Sequence, residues 1–484
     1  MKYFGENHFC LGSLMDIVID FLNTIFWGYV LIYGLLAVGV FFTIRLGFLQ
    51  FLHFGEMVRS ILGSRKSDKA GISPFQALCT SLASRVGTGN LAGVAVALYL
   101  GGAGAIFWMW LVALVGMATA YAESSLAQLY KVRDGEGQYR GGPAFYISKG
   151  LKAPWAGSIF SVCLIISFGL VFNAVQANSI ADAMEGAFGF SKLAVGVVIA
   201  AMAALVIFGG LRSIARFAEI IVPFMAAAYV LMALVVLVLH ASEVPGVIAL
   251  IVKSAFGLEE AVGGVAGSVT AAMLNGIKRG LFSNEAGMGS APNVAATATP
   301  APHHPSSQGF VQAMGVFIDT LVICTSTAVM ILLSGVLEPG NGVTGTQLTQ
   351  LAMEAHIGVA GKYFIAVAIL FFAFTSIVAN YSYAENAMVF LGVGNKAGML
   401  ALRCAALGMV VWGAYQAVGT VFNAADASMG LMATINLIAI LMLSGTVVKL
   451  TKDYMAQRKA GEEPVFKAND YPELKEKISS DIWY

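Results

Sequence analysis

Apolar residues run through this chain in stretches of roughly 20, the length a helix needs to cross the hydrocarbon of a bilayer, and short polar connectors separate them. The stretches predict spans near residues 23–43, 75–100, 105–130, 155–178, 193–210, 214–240, 261–298, 309–336, 362–392, 397–417 and 424–449, about eleven in all. Two of them are not uniformly apolar. The second carries Val86-Gly87-Thr88-Gly89-Asn90 near its centre, and the seventh carries Asn275-Gly276-Ile277-Lys278-Arg279-Gly280, a charged pair between glycines. In hydrocarbon every backbone N–H and C=O must be paired within the protein, so irregular backbone at that depth survives only where it is buried or lines a watery cavity. Both runs are therefore expected to break their helices, and both are candidates for holding a ligand or ion.

The connectors sort by charge. Arg45, Arg59, Arg65, Lys66 and Lys69 follow the first span, Lys131, Arg133, Arg140, Lys149 and Lys152 the third, Arg212 and Arg216 the fifth, Lys396 the ninth, and Lys449, Lys452, Arg458 and Lys459 the last. Short cytoplasmic loops accumulate Lys and Arg, which predicts an outward N-terminus and a cytoplasmic C-terminus. With the first span set aside, ten remain. They divide into two sets of five with opposite starting sides, each opening on an interrupted helix, as an inverted repeat would. The expected units are residues 1–72 (the extra span and its connector), 73–246, 247–450, and a cytoplasmic tail 451–484.

Composition narrows the class. With 58% hydrophobic and 11% charged residues, the chain is an all-α integral membrane protein. A net charge of +1 leaves no basic footprint for nucleic acid. Cys10, Cys79, Cys163, Cys324 and Cys404 are scattered, so neither a disulfide framework nor a metal cluster is expected. The first residues lack the order of a cleavable signal peptide, and the first span is expected to be retained.

Candidate chemistry centres on the first interruption. Freed N–H groups of Thr88, Gly89 and Asn90, at the start of a half-helix, suit a carboxylate; freed carbonyls at Ala83 and Val86 suit a small hard cation. In a later span Thr375 and Ser376 set adjacent hydroxyls in an apolar helix, where they either bond back to a carbonyl one turn earlier or face a cation. Asn380 lies one turn beyond Ser376 and could reach substrate. Phe172 and Gln176, four apart, give an aromatic wall and an amide that either pack between helices or touch substrate. Carbonyls at Gly276 and Ile277 could receive an ammonium group, with Gly280 leaving room for a small side chain. Arg85, Glu123, Lys278, Arg279, Glu285 and Asp319 are the intramembrane ionisable groups, with Arg85 or Arg279 expected to pair with Glu285, Glu123 or Asp319. His303 and His304 are expected in a solvated loop. No hydrolase triad or phosphate-binding loop is visible, so the chain is not expected to be an enzyme or an ATP-driven pump.

The strings TSLASRVGTGNLAGVA at 80–95, GQYRGGP at 137–143 and RGLFSNEAGMGSAP at 279–292 resemble the alanine or glycine:cation symporter family, within the amino acid/polyamine/organocation superfamily, and the match covers almost the whole chain. The resemblance implies a LeuT-like fold of five plus five helices. It also implies sodium-driven uptake of small neutral amino acids, alanine and glycine foremost, by a multi-pass protein of the plasma membrane, in bacteria the inner membrane. It adds the Phe372 carbonyl to Thr375 and Ser376, so that Ala83, Val86, Phe372, Thr375 and Ser376 would hold the sodium ion. Proton coupling is the alternative within transporters, and an ion channel, which would line a continuous pore, is the more distant rival.

Overall fold

The structure, a computed structural model, describes residues 17–63, 65–258, 269–338, 340–479 and 481–483. Helix α1 is described over Ile17–Arg45 and passes through a π-turn at Phe26–Val30. Helix α2 (Phe54–Leu62) is amphipathic, burying Met57 while Val58 and Leu62 stay exposed. The second predicted span is two helices, α3 (Pro74–Arg85) and α4 (Gly89–Gly101), parted at Val86 and Gly87 as the sequence indicates. Ser73 and Gln76 form a capping box at the start of α3, which satisfies two of its unpaired N–H groups.

Then come α5 (Gly104–Leu129), α6 (Pro154–Phe188), α7 (Lys192–Ile207), α8 (Gly210–Leu239) and α9 (Val244–Ala255). They are followed by α10 (Val269–Asn284), α11 (Pro305–Ser334), α12 (Gly345–Ile357), α13 (Val359–Phe390), α14 (Lys396–Ala414), α15 (Val418–Met442) and α16 (Ser444–Lys459). A short hairpin pairs Val132–Arg133 with Tyr139–Arg140 after α5. Among the described residues eight helices (α1, α5, α6, α8, α11, α13, α14 and α15) are long and apolar enough to cross a membrane. The chain is a multi-pass membrane protein. The last predicted span, 424–449, is divided at Leu443, because Lys449, Lys452, Asp453 and Arg458 make α16 a polar helix.

The seventh predicted span departs from expectation. Residues 261–268 lie outside the described residues, and α10 runs unbroken through Asn275–Gly280. Its glycines serve packing: a Cβ on Gly276 would lie 2.6 Å from the Trp108 Cβ, and one on Gly280 would lie 2.6 Å from Val112 Cγ1, both on α5. Small residues let membrane helices approach this closely. The charged pair does not open the helix either, because Lys278 and Arg279 both reach Asp426 on α15, Lys278 Nζ at 2.7 Å. The break comes later, where Glu285, Gly287 and Gly289 take φ of 58°, 92° and 78° before a helical turn at Pro292–Ala295.

The connector before α11 and the C-terminal tail form one packed unit. His304, expected in solvent, is fully buried; its Nε2 lies 3.1 Å from Asp453 Oδ2 on α16, and its Nδ1 accepts the Ser306 N–H at 3.1 Å. The His303 ring lies 4.9 Å from that of Trp483, and the His303 carbonyl accepts the Phe466 N–H at 2.9 Å. Trp483 Nε1 donates to the Leu129 carbonyl at 3.1 Å, and the Lys131 ammonium sits 3.9 Å from the Tyr139 ring centre while donating to the Ala298 carbonyl at 2.9 Å. Tyr454 and Arg458 of α16 both donate to Glu56 of α2, at 2.6 and 2.8 Å. The tail replaces the solvent that a local reading gives the histidines.

Two outcomes follow from this packing. Burial pushes the His304 imidazole below its ordinary value of 6.5, so a released tail binds a proton more strongly than the docked one. Docking is thus fully supported above pH ~6.5 and weakens as pH falls below it. Hydrogen exchange of residues 463–483, corrected for intrinsic rates, should accelerate on acidification, and unchanged protection would refute the coupling. Separately, Gly276→Ala is expected to destabilise by ~1–3 kcal/mol through overpacking, lowering the melting temperature in detergent, whereas Gly28→Ala, where a Cβ meets nothing within 4 Å, should not.

Candidate substrate and cation site

Val86 turns the chain out of α3 with ψ of 82°, and its N–H closes the helix on the Leu82 carbonyl at 2.7 Å. The next N–H groups then need partners from outside the helix ladder. Gly87 donates to Asn90 Oδ1 at 2.9 Å, and Thr88 donates to Gln176 Oε1 on α6, also at 2.9 Å. Gln176, expected to present an amide handle, thus meets the break itself. Gly87 has to be glycine here, since a Cβ would collide with the Ser376 hydroxyl and lie 2.8 Å from Gln176 Oε1. The Thr88 hydroxyl is buried and makes no hydrogen bond, so it is free to meet something in the site.

Around this turn the walls are aromatic and close. Phe172 stacks on Phe168 at 4.4 Å and on Phe282 of α10 at 4.8 Å. Gly89 packs against Ser283, whose Cα would stand 3.0 Å from an added Cβ. Asn90 reaches across to α11, donating to Asp319 Oδ1 at 2.7 Å, while Ser283 and Thr320 donate to Asp319 Oδ2 at 2.8 and 2.7 Å.

Oxygens gather on the other side of the break. The Ser376 hydroxyl lies 2.8 Å from the Ala83 carbonyl at the end of α3 and 3.0 Å from the Phe372 carbonyl, which also takes the Thr375 hydroxyl at 2.9 Å. Four of the five residues named for the cation (Ala83, Phe372, Thr375 and Ser376) are joined in one hydrogen-bonded group where α13 meets α3. Val86 is buried at the end of that helix. Each hydroxyl bonds back to the Phe372 carbonyl, the first of the two readings, and Ser376 also spans to the Ala83 carbonyl on another helix.

Other sequence-named residues lie elsewhere. Gly276 and Gly280 face α5 rather than a cavity, and Ile277 is buried within the unbroken part of α10; the carbonyls expected to receive an ammonium remain in a helix. Asn380 holds Ser84 Oγ at 2.6 Å and Asn173 Oδ1 at 3.2 Å. Arg279 pairs with Asp426, not with Glu285, Glu123 or Asp319. Arg85 donates to the Gln312 carbonyl at 3.2 Å, and its Nε and Nη2 make no hydrogen bond.

The second break is held by residues that sequence reasoning named only as charges or not at all. Glu123 of α5 accepts the Gly287 and Gly289 N–H groups, each at 3.2 Å, and Asn436 of α15 donates to Glu123 at 2.8 Å and to the Gly287 carbonyl at 2.9 Å. Asp426 and Asn436 are polar residues inside an apolar span, the one signal that could have marked them.

A sequence model of the sodium:alanine symporter family matches residues 12–468. The chain is 51% identical over 472 residues to the amino-acid carrier protein AlsT of Bacillus subtilis, covering 98% of this chain and 97% of that one. It is 47% identical over 457 residues to the probable sodium/glutamine symporter GlnT of Bacillus subtilis, covering 94% of each. It is also 40% identical over 457 residues to the sodium/alanine symporter AgcS of Methanococcus maripaludis, covering 92% of this chain and 99% of that one.

Proposed function

The chain belongs to the sodium:alanine symporter family, and we propose that it is a sodium-coupled secondary active symporter importing small neutral amino acids, alanine and glycine, by alternating access. The accompanying architecture is LeuT-like: two inverted five-helix repeats at 73–246 and 247–450, an extra span before them, eleven spans in total, the N-terminus outside and the tail 451–484 in the cytoplasm. With that family goes residence in the plasma membrane, the inner membrane in bacteria.

One observation carries the proposal: the Ser376 hydroxyl joins the Ala83 and Phe372 carbonyls beside a break whose next two N–H groups, those of Gly87 and Thr88, are held only by side chains. A sodium ion would take carbonyl oxygens of Ala83, Val86 and Phe372 and the hydroxyls of Thr375 and Ser376, which turn their protons away and present lone pairs. The substrate carboxylate would take the N–H groups of Thr88, Gly89 and Asn90, displacing Gln176 Oε1 from the first and the Gly87 carbonyl, 3.2 Å away, from the last; the freed Gln176 amide would then hydrogen-bond the substrate. Because Gly276 and Ile277 keep their carbonyls in the helix, the ammonium is assigned to carbonyls at the end of α10, at Phe282 and Ser283, where the second break begins. The stacked rings of Phe172 and Phe282 and the contact of Gly89 with Ser283 leave room only for a small side chain, which favours alanine and glycine over larger substrates. Of the relatives, the one named for alanine agrees with this range, whereas the one named for glutamine takes a larger side chain than this reading favours.

Radiolabelled alanine and glycine uptake into proteoliposomes, with a sodium, potassium or proton gradient as the only driving force, tests the coupling. Accumulation is expected with sodium alone, and accumulation under a proton gradient without sodium would overturn it. Ser376→Ala should raise the sodium concentration for half-maximal uptake by about tenfold, the cost of one lost oxygen ligand at ~1–2 kcal/mol, with the alanine KM at saturating sodium changing far less. Gln176→Ala should do the converse, and an unchanged alanine KM would remove Gln176 from the site.

A further inference from the structure

We propose that Glu285 is a proton-binding site: in this conformation its carboxyl is the neutral acid, donating a hydrogen bond to Ser84. The assignment follows from counting protons along one buried chain of hydrogen bonds. Asn173 Nδ2 lies 3.0 Å from the Gly169 carbonyl, which can only accept, so that end of the amide is the NH2 and its Oδ1 faces Asn380. Asn380 must therefore donate its own NH2 to Asn173 Oδ1, at 3.2 Å, and turn Oδ1 toward Ser84. The Ser84 hydroxyl, 2.6 Å from Asn380 Oδ1, has one proton and gives it to that oxygen. Its second neighbour, Glu285 Oε1, stands at 2.5 Å, and two oxygens that close need a proton between them. The hydroxyl has none left, so Glu285 supplies it. Ser290 donates to the other oxygen, Oε2, at 2.5 Å, completing the pattern of a protonated acid, one oxygen donating and one accepting.

The surroundings agree. Glu285 is 1% exposed and sits on the left-handed turn that ends α10. The charged and titratable groups facing it are Arg85 at the end of α3, Asp319 on α11 and Tyr383 on α13, with Glu123 of α5 in the same field. Three carboxylates around one guanidinium would leave uncompensated negative charge in a buried region, which is costly, and a proton on Glu285 reduces it. Loss of that proton, to water when the break opens, forces Ser84 to turn its hydroxyl to the carboxylate and leaves its oxygen facing Asn380 Oδ1. The α3–α13 contact is then repulsive one residue from Ala83, whose carbonyl takes Ser376, so proton occupancy and the geometry of the proposed sodium site move together.

Infrared difference spectroscopy of the purified protein in detergent, across a pH titration without sodium or substrate, tests the assignment. Wild type should show a protonated carboxylic C=O band that titrates, and Glu285→Gln, whose amide can donate to Ser84 and accept from Ser290, should fold with a near wild-type melting temperature and lose one component of it. An identical band in folded Glu285→Gln overturns the proposal. Should that variant fail to fold, Ser84→Ala decides: the band is expected to shift in frequency as the acid loses its acceptor, and an unshifted band overturns the assignment. Only the link to the sodium site rests on the proposed symport. The spectrum needs no transport, so its failure leaves sodium-driven uptake standing, and the reverse holds equally.

Discussion

A peptide group in the middle of a bilayer has no water to turn to, and each one left unpaired costs several kcal/mol. This chain breaks two helices, ending α3 at Arg85 and α10 at Asn284, and the surrounding structure is arranged to receive the groups so freed. Asn90 and Gln176 take the N–H groups of Gly87 and Thr88; Glu123 and Asn436 take the N–H groups and carbonyl of the second break; Ser376 takes the Ala83 carbonyl. The receiving side chains come from α4, α6, α5, α15 and α13. A local loss of helix therefore ties most of the bundle together.

The two breaks are satisfied differently, and the difference bears on function. At the first, the partners are neutral amides and a hydroxyl, each able to exchange its hydrogen bond for one to a ligand at little net cost. At the second, the backbone N–H groups of Gly287 and Gly289 are held by a carboxylate, itself fixed by Asn436, an arrangement of charge-assisted bonds that is stronger and less readily exchanged. The first break is the exchangeable one, suited to bind and release. The second is better suited to fix the end of α10, and it brings Glu285 onto Ser84 of the first. The two interruptions thereby share a single hydrogen-bond chain from Gly169 to Ser290.

Glycine illustrates how one residue type serves opposite ends in the same membrane. Gly87 is required by the close approach of Ser376 and Gln176 to an unwound backbone, whereas Gly276 and Gly280 let an intact α10 lie against α5. In sequence the two patterns look alike, small residues around polar ones. What separates them is the partner: Asp426, about 150 positions downstream on α15, neutralises the charged pair that would otherwise have opened α10.

Sequence alone determined the class of molecule and the first break, because hydrocarbon imposes a length and an apolarity on any span and allows Val86 to Asn90 to be read as a flaw needing a reason. Spacing within single helices also set Phe172 with Gln176 and Ser376 with Asn380, since residues one turn apart share a face, and adjacent hydroxyls in an apolar helix singled out Thr375 and Ser376. It misplaced the second break, put His303 and His304 in solvent, and left Asp426 out of the partners it offered for Arg85 or Arg279. Each of those depends on residues distant in the chain: Val112 and Trp108 against the glycines, Asp453 and Trp483 against the histidines, Asp426 against the arginine. Ser84, an ordinary small residue in its helix, acquires its role only where Asn380 and Glu285 meet it from two other elements. Local pattern fixes what a segment can be; which freed group meets which side chain is settled by packing between segments, where a shift of an ångström separates a hydrogen bond from an unpaired group.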